Sequence, residues 1–344
     1  MPPSRKGDAF RRSPRCEVIG AVRSEAELPR FTVHIRRGDL SMRRRWKWLA
    51  ALAVALFVAG CAFYVVLSLT RGEVVAEHNY FRGDAGRPLV IAHRGGAGLW
   101  PENTLYGFER AVALGADVIE TDVRATADGE LVLFHDEGVE RTTDGAGRVG
   151  WMTLAELKRL DAAHRFSPDG GRSFPLRGSG IAVPTLREVF EALPRMRFNI
   201  EPKQAAPSVA APLCRLIREH GMADRVLVAS FSATTLEEFR RECPGVATSA
   251  ATGEVMSFLT LQRAGLAASY SPAMQALQVP EQAGGLRVLT RDFVEAAHGR
   301  NLRVHAWTVN DEGGMRRLVE RGVDGIMTDY PDRLLKVLGR GAPD

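Results

Sequence analysis

From residue 88 onward, short apolar runs of strand length alternate with segments of helical period, and this alternation is what most limits the fold. The runs are PLVIAH, ADVIETDV, ELVLFHD, RFNIEPK, RVLVASF, VATSAA, LRVHAWTV and GIMTD, with ALQVP at 276–280 as a further candidate. Between them lie amphipathic stretches such as TLYGFERAVALG, PTLREVFEAL and DEGGMRRLVERG. Several open on Thr, Ser or Asp, which cap the free amides of a first turn, and close on Gly or Asn, which accept a left-handed backbone. A parallel neighbour is reached only through a crossover, so strand–helix alternation over about 250 residues implies a parallel sheet. Eight such units fit an α/β fold of the closed (β/α)8 TIM-barrel type. Residues 136–184 form the longest interval between strands and contain the glycine-rich FSPDGGRSFPLRGSG. They are expected as a loop or cap inserted after the third strand, over the barrel mouth.

Charge divides the chain. Residues 1–47 hold 13 Lys+Arg against 5 Asp+Glu, residues 48–70 hold none, and 71–344 hold 33 basic against 36 acidic residues. The net +5 of the whole therefore belongs to the N-terminal arm. The globular part has no electrostatic footing for nucleic acid. The uncharged WLAALAVALFVAGCAFYVVLSLT, Trp48–Thr70, reaches the roughly 20 apolar residues that span a bilayer. Arg43, Arg44, Arg45 and Lys47 precede it, and Arg71, Glu73 and Glu77 follow. The positive-inside rule then places the N-terminus in the cytoplasm and the large domain outside, as a single-pass inner-membrane protein with a periplasmic domain. The expected organisation is a basic arm at 1–47, an anchor at 48–70, a linker at 71–87 and a barrel domain at 88–344. VAGC at Val58–Cys61 suggests a lipoprotein site at Cys61 as an alternative; the nine uncharged residues after Cys61 speak against it. MRRRWKW at Met42 has the form of a start to a membrane-targeting segment, so residues 1–41 are expected to be untranslated. The cysteines are Cys16, Cys61, Cys214 and Cys243, without C-x-x-C spacing, which removes a zinc knuckle or thioredoxin-type site. Cys214 and Cys243 are expected as two buried free thiols, with a bond between them as the alternative in an oxidising compartment.

The ends of the strands carry the chemistry. The first ends in His93-Arg94, the second carries Glu120 and Asp122, the third ends in His135-Asp136, the fourth carries Glu201 and Lys203, and LRVHAWTV carries Trp307. In a barrel these C-terminal ends share one mouth. Glu120 and Asp122 are two apart and face one way, as do Glu201 and Lys203. Three carboxylates converging without basic partners repel unless they hold a cation, and an all-oxygen set suits Mg²⁺ or Ca²⁺ rather than zinc. His93 and His135, on strands next but one to each other, can flank a substrate above the metal as a proton-transfer pair. Arg94 and Lys203 suit a phosphate. Together these groups describe a phosphodiester-cleaving site. Each has an ordinary use alone: a satisfied strand-end histidine, an acid paired with Arg124, a surface ion pair, a core tryptophan. His34, His78, His164, His220 and His298 are read as non-catalytic, and His305, two residues before Trp307, as structural. The glycines after Arg94 are expected to let backbone pass close to a bound phosphate group.

IAHRGGAGLWPENTLYGFERAVALGADVIETDVRATADGELVLFHDEGVERTTDG, continued by VPTLREVF, NIEPKQ, VASF, WTVN and GVDGIMTDYPD, resembles the glycerophosphodiester phosphodiesterases over about residues 88–338. The resemblance implies a TIM barrel, one divalent cation, Mg²⁺ or Ca²⁺, and hydrolysis of glycerophosphodiesters to sn-glycerol 3-phosphate and an alcohol. It implies His93 and His135 as the acid–base pair and Glu120, Asp122 and Glu201 as metal ligands. It implies Arg94 and Lys203 as phosphate contacts, Glu102 and Asn103 as the PEN element shaping the site beside Arg94, and Trp307 as an aromatic lining the mouth. It also implies attack on phosphorus by the substrate's own 2-hydroxyl. Two positions depart from the family pattern. Pro202 separates Glu201 from Lys203 and is expected to end the strand, leaving the direction of Lys203 open. Tyr330 stands for a common Arg, with no catalytic effect expected. Two other readings are a lysophospholipase-D-like enzyme acting on membrane lysolipids and a non-catalytic phosphate-ligand module.

Overall fold

The computed structural model of the chain describes residues 38–83 and 86–341. Most of the expected basic arm, with His34 and Cys16, lies outside the described residues. Helix α1 (Gly38–Leu69) contains a 28-residue stretch, Met42–Leu69, without a buried residue, and an 18-residue window within it reaches a mean hydropathy of 2.5. By length and composition it can cross a membrane. Residues up to Gly60 and residues from Cys61 form separate compact units, and the second holds the barrel.

The elements after α1 run β1 (Leu89–Ala92), α2 (Leu105–Leu114), β2 (Val118–Ala125), β3 (Leu131–Leu133), the single turn α3 (Leu154–Leu157), α4 (Leu186–Ala192), β4 (Arg197–Pro202), α5 (Ala210–Glu219), β5 (Val226–Val228), α6 (Ala233–Glu242), β6 (Ala247–Thr248), α7 (Thr252–Arg263), β7 (Ala276–Val279), β8 (Gln282–Ala283), β9 (Leu286–Arg287), α8 (Arg291–His298), β10 (Arg303–Ala306), α9 (Glu312–Glu320), β11 (Gly325–Thr328) and α10 (Pro331–Val337). Helices begin where the sequence supplies caps: Thr104 accepts from the Gly107 amide, Thr185 and Glu188 form a capping box, and Asp311 accepts from the Gly314 amide. Eight parallel strands form one sheet in the order β6-β5-β4-β2-β1-β11-β10-β7. A parallel bridge between Ser249 and Ala276, with the Ala250 N–H donating to the Ala276 carbonyl at 2.8 Å, joins its two ends into a near-closed barrel.

Three expectations change. The ELVLFHD run is not a barrel strand: β3 turns back antiparallel on β2, pairing Val123 with Leu133. The eighth parallel strand is β7, from ALQVP. The insertion thus begins with β3 itself, and it has a small core of its own around Val132, Phe134, Val139, Val149 and Leu157. Cys214 and Cys243 form a disulfide, Cα atoms 5.4 Å apart, because α5 packs beside α6; they are not free thiols. Residues 71–81, expected within a linker, pack on the barrel. Arg300 donates to the Gly72 and Glu73 carbonyls, Asn301 to the Val75 carbonyl, and His78 Nε2 lies 2.9 Å from the Gly245 carbonyl. Tyr80 and Phe81 are buried with Leu89, Ile91, Val118 and Ala276 in the barrel interior.

Period-two alternation positions the site. Leu89 and Ile91 belong to that interior cluster, whereas Val90 and Ala92 face the helices. The same parity sends Ile119 of β2, Phe198 and Ile200 of β4, and Val304 and Ala306 of β10 outward. Carried forward, it puts His93, Glu120, Asp122, Glu201, Trp307 and the residue after β11, Asp329, on the inner face at the C-terminal ends.

Candidate active site

The backbone turns sharply where β1 ends. Arg94 has φ 50 and ψ 30, an uncommon conformation for a side chain this large. The turn aims the Arg94 N–H at Glu120 Oε2, 2.8 Å away. Asn103, also left-handed at φ 53, closes the loop: its N–H donates to the Arg94 carbonyl at 3.0 Å and its Nδ2 to Asp122 Oδ2 at 2.9 Å. The glycines serve packing here. A Cβ on Gly95 would stand 2.3 Å from the Phe108 ring, and one on Gly98 would stand 2.5 Å from the Tyr330 ring. That close packing, and φ +81 at Gly95, explain them without a phosphate.

Glu120, Asp122 and Glu201 come together, each offering an oxygen within 4.8 Å of the others. They are not without basic partners, as the sequence suggested. Lys203 Nζ sits 3.1 Å from Asp122 Oδ1 and 2.8 Å from Glu201 Oε2, and Arg94 Nε lies 3.4 Å from Asp122 Oδ2. β4 does end at Pro202; the Lys203 N–H still donates to the Val123 carbonyl, and strand parity carries its side chain inward. The charge is shared unevenly. Burial alone would raise Asp122, but Lys203 and Arg94 outweigh it and hold its carboxyl below the usual range. Burial holds Glu201 above that range. Glu120, 3% exposed, is pushed up to about 7 by burial and then by Asp122, with His93 as its nearest cation at 3.9 Å. A divalent ion bonds oxygens at about 2.0–2.6 Å and so can be shared only by donors within about 5 Å of one another. Three oxygens at this spacing, one of them an under-compensated buried carboxylate, fit such an ion.

Both histidines are held through Nδ1. His93 Nδ1 lies 2.6 Å from Asp329 Oδ1, and His135 Nδ1 lies 2.6 Å from Asp136 Oδ1. The carboxylates accept, so Nδ1 carries the proton and Nε2 is left for exchange. Burial would lower the His93 pKa, but Glu120 and Asp329 overcome it and hold it above the ordinary value. Glu102 does not face a ligand alone. It accepts from Arg94 at 3.0 Å and from both terminal nitrogens of Arg141 at 2.7 Å. Arg141 also donates to Asp136 at 2.5 Å. One chain of ion pairs therefore runs from His135 through Asp136, Arg141, Glu102 and Arg94 to Asp122. Against burial, Arg141 and His135 bring the Asp136 carboxyl down to about 2.

Asp329, Asn310 and Arg141 were not singled out from sequence. Asp329 closes GIMTD and Asn310 closes WTVN, so both stood in plain view as polar strand-end residues. Arg141 lies eight residues beyond the end of β3 in a loop, where no spacing rule points to it. Trp307 lines the cavity above the acids with His93, Arg94, Glu120, His135, Glu201 and Lys203. The cavity has a volume of about 540 Å³.

A sequence model of the glycerophosphoryl diester phosphodiesterase family matches residues 93–333, from the proposed acid–base His93 to α10. The chain belongs to this family. A glycerophosphodiester phosphodiesterase of Caldanaerobacter subterraneus is 35% identical over 260 residues, covering 74% of this chain and 99% of the relative. One of Bacillus subtilis is 32% identical over 295 residues, covering 83% and 97%. The solved structure of an Oleispira antarctica phosphodiesterase in complex with the product sn-glycerol-3-phosphate superposes with a TM-score of 0.57 at 27% identity, covering 73% of this chain and 97% of that one. The chain is thus a phosphoric diester hydrolase on a TIM barrel, with the glycerophosphodiester phosphodiesterase activity of its family.

Proposed function

We propose that the chain hydrolyses glycerophosphodiesters to sn-glycerol 3-phosphate and an alcohol, with one divalent cation, Mg²⁺ or Ca²⁺, held by Glu120, Asp122 and Glu201. The observation that carries this reading is the convergence of three carboxylates, one of them the buried and under-compensated Glu120, beside two imidazoles whose Nδ1 atoms are fixed by carboxylates. A bound cation supplies charge stabilisation to the phosphoryl oxygens. The protein supplies the rest. One imidazole Nε2 takes the proton of the substrate's 2-hydroxyl as that oxygen attacks phosphorus, and the other Nε2 protonates the departing alkoxide. Water then opens the cyclic phosphate, with the two imidazoles exchanging roles. Arg94 and Lys203 hold the acids in place and keep the site's charge balanced for an anionic substrate. Glu102 and Asn103 act by fixing Arg94 and Asp122, and Trp307 bounds the mouth.

The hydrophobic stretch at 48–70 supports a single-pass membrane anchor, with Arg43, Arg44, Arg45 and Lys47 on the cytoplasmic side and the barrel outside. The Cys214–Cys243 disulfide agrees with an oxidising compartment. Full-length protein assayed on glycerophosphocholine and glycerophosphoethanolamine, with and without chelator, tests the chemistry. Chelation and His93→Ala are each expected to lower kcat at least 100-fold. Unchanged turnover in either, or equal turnover of a 2-deoxy analogue, refutes the mechanism. Protease added to spheroplasts, with the outer membrane opened and the inner membrane intact, is expected to remove the barrel; a fully protected barrel would overturn the topology.

A further inference from the structure

The chain that leads from α1 into the barrel is clamped to one end of it. The Tyr64 hydroxyl, in the last turns of α1, donates to the Ala264 carbonyl at 3.0 Å. The Gly72 N–H donates to the Ala268 carbonyl at 2.9 Å, and the Glu73 N–H to the Ser271 hydroxyl at 3.0 Å. A Cβ on Gly72 would stand 2.5 Å from the Tyr270 carbonyl oxygen, so this strap lies directly on the segment ahead of β7. Farther along, Arg300 and Asn301 hold the carbonyls of Gly72, Glu73 and Val75. His78 accepts from the Tyr80 N–H at Nδ1, so its Nε2 donates to the Gly245 carbonyl, and Arg197 donates to the Tyr80 carbonyl at 3.0 Å. These partners lie at or just ahead of the starts of β4, β6, β7 and β10, at the end of the barrel opposite the acids. Helix α7 measures the separation. Val255 and Met256 near its start line the cavity, and Ala264, just past its end, holds Tyr64. Its 12 residues at about 1.5 Å each put about 18 Å between mouth and strap.

We propose that the barrel stands on the bilayer by the N-terminal ends of its strands, with the catalytic mouth turned away and open to the aqueous compartment. The inference rests on the membrane-anchor reading. Thr70, the last residue of the uncharged stretch, is two Cα steps from Gly72, a reach of at most about 7 Å. That leaves no slack for the barrel to roll its mouth down to the lipid. A diester therefore reaches His93 from solution and not laterally from the bilayer. The strap lies ahead of the residues that the family model matches, 93–333, so family membership alone does not imply this orientation. The test uses the full-length protein in bilayer discs whose lipid head groups carry an energy-transfer acceptor. Cys16→Ser and Cys61→Ser remove the cysteines outside the disulfide. A donor is then attached through Asp224→Cys, exposed in the loop before β5, or through Gln282→Cys, exposed in the β8–β9 hairpin beside the mouth. Transfer is expected to be at least about twofold stronger from 224, given the separation of about 18 Å. Equal transfer from the two positions, or stronger transfer from 282, overturns the orientation alone. No transfer from either position overturns the anchor reading and the orientation with it. Ten Gly/Ser residues inserted after Arg71, with an r.m.s. reach of about 17 Å, should bring the two transfers together. An undiminished difference in that variant would refute the short tether as what holds the mouth away from the lipid.

Discussion

Asp329→Asn is nearly isosteric, yet it should disable His93. Asp329 accepts at both oxygens: Oδ1 from His93 Nδ1 at 2.6 Å and Oδ2 from Asn310 Nδ2 at 2.7 Å. Asn310 cannot turn to relieve a change, because its own Oδ1 already accepts from the Thr328 hydroxyl at 3.1 Å and the Asp329 N–H at 2.9 Å. An amide at 329 has one acceptor for two donors. If its oxygen serves His93, its NH₂ meets the Asn310 NH₂. If its oxygen serves Asn310, its NH₂ meets Nδ1 and drives the imidazole proton to Nε2, the wrong tautomer for a base. A hydrogen bond to a charged group contributes about 1.5–3 kcal/mol, so kcat should fall about 10- to 150-fold. The assay is steady-state hydrolysis of glycerophosphoethanolamine by the full-length protein at saturating Mg²⁺ or Ca²⁺. The control is the same substitution in a His93→Ala background, where it should cost less than twofold because the partner is gone. Retained activity in Asp329→Asn, or an undiminished loss on top of His93→Ala, refutes the coupling.

Arg141→Ala removes the link between Glu102 and Asp136, so Arg94 and His135 both lose a fixed neighbour. A loss of about tenfold in kcat/KM is expected, with Lys restoring only part because it cannot bond Glu102 through two nitrogens; wild-type kinetics in the Ala variant would show the chain of ion pairs to be inert. Reduction of the Cys214–Cys243 bond, which closes a 29-residue separation, should destabilise the barrel by about 3–4 kcal/mol, read as a drop in Tm with reductant that Cys214→Ser reproduces. No drop would mean that the thiols are unpaired in the folded protein. His298, hydrogen-bonded to Asp324 at 2.7 Å, has its pKa raised first by that bond. The folded state therefore binds its proton more tightly, and the stabilisation is fully present below about pH 6.5; it fades as pH rises through the folded value. His298→Gln should lower Tm at pH 5.5 and leave it unchanged at pH 9, and an equal loss at both pH values would assign the effect to packing.

The site could be read from sequence largely because strands have a period of two. Once PLVIAH, ADVIETDV and RFNIEPK are strands in one parallel sheet, His93, Glu120, Asp122, Glu201 and Lys203 must face inward at one end, and even Pro202 does not alter the parity of Lys203. The same local rule misassigned ELVLFHD, since a hairpin strand and a barrel strand share one pattern and differ only in their partner. It also said nothing of the Cys214–Cys243 bond, which depends on α5 and α6 being neighbours. Arg141 escaped for a related reason: a loop carries no period, and its role follows from where Glu102 and Asp136 happen to lie.

The apolar wall of the cavity was the least readable part. In TGEVMSFLTLQR the apolar residues go round the helix rather than forming one stripe. Phe258 and Leu259 are buried, while Met256 stands exposed over the cavity. An amphipathic reading expects one apolar face, so a helix that serves both a core and a cavity hides from it. The β8–β9 hairpin is two residues a side and exposed, too short for strand alternation to show. Reaction chemistry is thus set at the ends of regular strands, where a repeating backbone makes direction predictable. The apolar wall of the cavity is built by a two-faced helix and a short hairpin, where only the folded chain shows which side chains meet.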